Sequence, residues 1–95
     1  TYYIPNAFSP NGDGINDQLN VNFPPEMQII DFEISVFDRW GNMLFQSADP
    51  QNAWNGQYRA QQLPTGVYVY SIEVEYIDDR KQDREVITGD VLLVR

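Results

Sequence analysis

Residues 6–17 read NAFSPNGDGIND, and the oxygen-bearing side chains in this run recur at a spacing that suits a hard cation. Ser9, Asn11 and Asp13 alternate, Gly14 follows and Asp17 comes four residues after Asp13, matching positions 1, 3, 5, 6 and 9 of a calcium loop. The candidate ligands are therefore Asn11, Asp13, the Ile15 carbonyl and Asp17. The match to an EF-hand is incomplete, because position 1 is a serine, position 12 is Asn20 and no helices flank the loop. The same residues also make an ordinary turn, with glycines at positive φ and Asn and Asp side chains bonding their own backbone. Calcium, if bound, ties down the first connection and takes part in no reaction.

Other chemistry is poorly supplied. Histidine and cysteine are both absent, which removes the usual general base, the commonest zinc ligand and any disulfide framework. Ser9, Ser35, Ser47 and Ser71 have no histidine to activate them, and the only lysine is Lys81. Glu73 with Glu75, or Asp78 with Asp79, could be read as a glycosidase pair, but they fall on a polar strand face and a polar tip with no pocket to shift a pKa. Fourteen acidic residues against six basic ones give a net charge of -8, which opposes binding to nucleic acid or to an anionic membrane surface. No apolar run approaches the ~18 residues of a membrane helix, and TYYIPNAF lacks the features of a signal peptide.

The elements that must position these residues are strands. In residues 66–77, Tyr68, Tyr70, Ile72, Val74 and Tyr76 share one face while Ser71, Glu73 and Glu75 share the other, the period of a half-buried strand. Phe32, Ile34 and Val36 alternate with Glu33 and Ser35 in the same way, and residues 39–42 turn the chain into Met43, Leu44 and Phe45. A last strand is expected over residues 86–94, joined to the long one through a polar tip at residues 78–84. Shorter strands are expected at residues 2–8 and 18–23, the second closed by Pro24 and Pro25. With 95 residues, this pattern predicts one domain spanning residues 1–95. Its predicted fold is all-β, an immunoglobulin-like antiparallel β-sandwich of about seven strands.

Three further motifs accompany the opening one: FDRWGNMLFQS at residues 37–47, WNGQYRAQQLPTGVYVYSI at residues 54–72, and a closing GDVLLVR. In this order they resemble the gliding motility-associated C-terminal domain family, the type B sorting domain of the type IX secretion system of Bacteroidota. The likeness covers nearly the whole chain. Leu19, Asp38, Asn55, Ala60 and Leu92 stand where the family more often has an aromatic, Asn, Asp, Gly and Thr. The resemblance implies a C-terminal sorting signal, not an enzyme, covalently part of a larger cargo that it directs to the cell surface or medium. Its partners would be the type IX machinery or an outer-membrane protein, and Arg95 would be the natural C-terminus. It requires no cofactor beyond, at most, the calcium of the opening loop.

The terminal strand is the expected recognition element, with Gly89, Val91, Leu93 and Arg95 as candidate export residues. At a sheet edge, its ladder groups would pair with a receptor strand. Trp40, at a hairpin turn, is a candidate partner anchor, though such a residue commonly folds back over the end of a sandwich. Trp54 reads as a core cap. The alternative function is a carbohydrate-binding or adhesin module, in which Trp40, Tyr58 and Tyr70 form a stacking surface beside a calcium-stiffened loop.

Overall fold

The structure, a computed structural model, describes Ile4, residues 6–10, Gly12 and residues 17–95. Seven strands occur among them: β1 (Ala7–Phe8), β2 (Gln28–Phe37), β3 (Met43–Ser47), β4 (Gln57–Tyr58), β5 (Gln61–Gln62), β6 (Gly66–Asp78) and β7 (Lys81–Leu93). They form a β-sandwich. One layer is a five-stranded sheet in the order β1-β7-β6-β2-β3, and the other is built on the β4-β5 ribbon. At roughly 3.3 Å per residue, the two 13-residue strands β6 and β7 account for the 42 Å long axis of the molecule.

The period of two decides what the large sheet buries. Phe32, Ile34 and Val36 of β2 and Tyr68, Tyr70, Ile72, Val74 and Tyr76 of β6 are all buried, on the face predicted for them, and Val91 and Leu93 of β7, expected as recognition residues, are buried beside them. Across from them, Phe8, Leu19 and Trp54 close the core, with Val21 and Phe23 packed partly against it. The Tyr68 hydroxyl donates to the Pro64 carbonyl at 2.7 Å, an arrangement like the tyrosine corner of immunoglobulin-like sandwiches. That bond fixes the approach of the chain to β6.

Three expectations need correction. The large sheet is mixed, because β1 runs parallel to β7 with Ala7 opposite Leu92 and Phe8 opposite Leu93. Residues 18–23 form no strand but only isolated bridges, at Leu19 and at Asn22; the Leu19 N–H donates to the Trp54 carbonyl at 2.8 Å. This segment still alternates, because Leu19 fills the core and Val21 and Phe23 pack partly against it while the backbone forms no ladder. Among the described residues of the strand expected at residues 2–8, which are Ile4 and residues 6–8, only Ala7–Phe8 is strand; residues 2, 3 and 5 lie outside the described residues.

The tip of the long hairpin is also shorter than expected. Asp78 pairs with Lys81, so the turn is only Asp79 and Arg80, at φ 51° and 65°. Arg59 and Ala60, at φ 52° and 66°, turn the β4-β5 ribbon in the same left-handed way. Two such residues in succession match the twist of a two-residue hairpin. None of the four is a glycine, and each L residue held there costs about 1 kcal/mol or more.

Candidate functional site

The terminal strand is held on both sides where recognition was expected. At Leu92 and Leu93, β7 has β6 as one neighbour and β1 as the other; the Leu92 N–H donates to the Asn6 carbonyl and the Val94 N–H to the Phe8 carbonyl, each at 2.9 Å. The end of β7 is therefore not an open edge. Val91 and Leu93 are fully buried, so their side chains belong to the core and only Asp90, Leu92 and Val94 face outward.

Gly89 and Arg95 have different jobs. Gly89 pairs with Tyr70 on the core face, and a Cβ there would lie 2.5 Å from the Tyr70 hydroxyl oxygen and 2.8 Å from the ring carbon that bears it. The absent side chain makes room for the ring. Arg95 reaches back to the second layer, its Nε donating to the Leu63 carbonyl at 2.6 Å and its Nη2 to the Gly56 carbonyl at 2.8 Å. Gly56, at φ 81°, lets this happen, since a Cβ there would meet the Leu93 side chain at 3.1 Å and the guanidinium at 3.2 Å.

The β2-β3 turn is organised by Asp38. Its carboxylate accepts the N–H groups of Trp40 and Asn42 at 2.9 Å and the Asn42 side-chain amide at 3.0 Å. The Asn42 side chain, then its backbone, holds the Asp38 carboxyl below the usual range, with Trp40 and Gly41 adding smaller effects. This turn presents Trp40 outward at 78% exposure, with the Arg39 guanidinium 5.6 Å from the ring. Trp40 and Arg39 border a hollow of about 200 Å³ whose far wall includes Leu63, Pro64, Val67 and Tyr68.

Cross-strand register shows what surrounds that turn. On the outer face, Ala7, Leu92 and Val67 form one row, and Asp90, Val69, Phe37 and Met43 form the next. These rows make an apolar strip. Sequence reasoning missed it, although the signal was present: in Val67-Tyr68-Val69-Tyr70 the polar half of the alternation is lacking, so both faces of β6 are apolar at its start.

The remaining candidates separate. Of the loop ligands only Asp17 is described, half-buried and accepting the Gly12 N–H at 3.1 Å; Asn11, Asp13 and Ile15 lie outside the described residues. Asp17 also lines a polar hollow of about 440 Å³ with Gln18, Asn55 and Arg95. The proposed stacking surface does not form, because Tyr70 is buried against Gly89 while Trp40 and Tyr58 are exposed. Glu73 and Glu75 share Arg84, at 3.3 and 3.6 Å, on a solvated face, and the Ser47 hydroxyl is engaged with the Asp49 backbone. Tyr76 donates to Glu85, and this bond, aided by burial, pushes its hydroxyl up to about 12. These are structural contacts.

A family model described as CHU_C Type IX secretion signal domain matches residues 2–91. No curated protein matches the chain.

Proposed function

Because this chain belongs to the CHU_C type IX secretion signal domain family, we propose that the secretion machinery reads it as a folded sandwich and not as an extended tail. Its role is that of a C-terminal sorting signal on a secreted cargo, and the family is not an enzymatic one. The observation that carries the folded reading is the use of Val91 and Leu93 as core residues. Unfolded, the terminal strand is an anonymous apolar segment; folded, it is a fixed backbone flanked by Asp90, Leu92 and Val94. Gly89, Val91, Leu93 and Arg95 then serve recognition by shaping this strand, with an outer-membrane partner as the receiver and the cell surface or medium as the destination.

The test is a reporter carrying a signal peptide ahead and residues 1–95 behind, expressed in a bacterium that has the type IX system. Wild type is expected to place reporter outside the cell. Leu93→Asp, which puts a carboxylate into a fully buried position, is expected to lose the melting transition and export together. Export by an unfolded Leu93→Asp variant would sink the folded reading.

We also propose calcium as a stabiliser of the opening loop, through Asn11, Asp13, Asp17 and the Ile15 carbonyl. The support is their alternate spacing and the position of the Asp17 carboxylate, which reaches back to the Gly12 N–H. Each tenfold of free calcium above the dissociation constant is expected to add about 1.4 kcal/mol of stability. Equal melting temperatures in calcium and in chelator would leave the turn alone.

A further inference from the structure

The outer face of the large sheet is divided. At the end near the β2-β3 turn it carries Leu92, Val67, Val69, Phe37 and Met43, with Val67 at 55% and Leu92 at 40% exposure. Farther along the same face the rows become Thr88-Ser71-Ser35, then Val86-Glu73-Glu33, then Arg84-Glu75-Asp31. Val86 is the one fully apolar side chain in those rows. The apolar half is therefore not a general property of the face, and a contiguous exposed apolar area of this kind marks an interaction surface.

We propose that this strip, with Trp40 as its anchor, docks a protein partner whose contact surface has an apolar centre and a basic rim. Charge selects this occupant. Asp90 lies within the strip; beyond the Thr88-Ser71-Ser35 row the same face carries Glu33 and Glu73, then Asp31 and Glu75, opposed by Arg84 there and by Arg39 beside Trp40. The chain as a whole, these residues included, carries a net charge of -8. A second copy would bring two acidic surfaces together, and an anionic lipid surface would meet the same repulsion. A partner rimmed with Lys and Arg gains from both halves of the face, the apolar strip giving affinity and the carboxylates giving encounter rate and orientation.

Trp40 suits the anchoring role for a structural reason. The turn that carries it is fixed by three hydrogen bonds to Asp38, so the backbone of this turn has little freedom left to lose on binding. The hollow beside it, between the turn and Val67, gives a partner side chain a place to enter.

This inference rests on the sorting function, and its test separates the two. In the reporter assay, Trp40→Ala and Val69→Lys are expected to keep a normal melting curve and lower export about tenfold or more. Asp90→Lys should lower it too, whereas Thr88→Glu, which adds negative charge on the same face, should not. Normal export by folded Trp40→Ala and Val69→Lys overturns the docking surface while leaving the sorting function intact. Equal loss from Asp90→Lys and Thr88→Glu overturns the basic rim. Sedimentation of the isolated domain is expected to give a monomer, and a dimer abolished by Trp40→Ala would assign the strip to a second copy instead.

Discussion

Trp54→Ala is expected to cost about 3–5 kcal/mol, the range for removing a large aromatic from a packed core. Trp54 has no exposed surface, and its ring lies 5.4 Å from Phe8 and 5.3 Å from Tyr68 in tilted and edge-on arrangements. Its indole N–H donates to the Gln57 carbonyl at 3.0 Å, and its own carbonyl receives Leu19. The side chain thus joins β1, β6 and the β4-β5 ribbon, while the backbone of the same residue holds the segment around Leu19. Domains of this size commonly hold only 5–15 kcal/mol in total, and each kcal/mol lost lowers Tm by roughly 4–8 °C. Thermal unfolding followed by circular dichroism checks this. The exposed Trp40→Ala variant should melt like wild type, and a similar small loss for both tryptophans would contradict their assignment to core and surface.

Gly89→Ala is expected to cost about 1–3 kcal/mol, the range for overpacking a core, although alanine is a smaller change than most. The cause is the Tyr70 ring, which occupies the space a Cβ would need. Tyr70 is itself buried in the core, so its ring moves aside only by displacing its packed neighbours. Tyr70→Leu removes the colliding atoms at the cost of a cavity. In a double-mutant cycle, the pair should therefore be less destabilised than the sum of the single variants by more than about 0.5 kcal/mol. Strict additivity would show that the two positions do not compete for space.

The sequence made the large sheet legible wherever one face was buried and the other solvated. Phe32 to Val36 and Tyr68 to Tyr76 alternate because water and core impose opposite demands on neighbouring residues, and their faces were assigned correctly. The start of β7 was hidden for the complementary reason. Residues 81–84 are exposed on both faces, so Lys81, Gln82, Asp83 and Arg84 read as a loop although backbone pairing with β6 makes them a strand. Leu19, Val21 and Phe23 misled in the other direction, since side-chain burial alone does not require a ladder. For the site, the spacing of Val91 and Leu93 showed a strand but not which of its two faces the core would take. The exposure of Trp40 depends on how Asp38 closes its turn, a matter of hydrogen-bond geometry that composition does not contain.

The parallel pairing of β1 with β7 decides how the domain bears a mechanical load. Tension applied between the two ends draws β1 backward along its own direction and β7 forward along its own. The strands must then slide past each other, and the bonds from Leu92 to Asn6 and from Val94 to Phe8 are strained together. In an antiparallel hairpin pulled at its open end, the bonds would instead peel apart one at a time. A tug on a passenger attached ahead of β1 therefore meets a shear clamp, and the survival time of the fold under that force is set by its unfolding rate more than by its equilibrium stability.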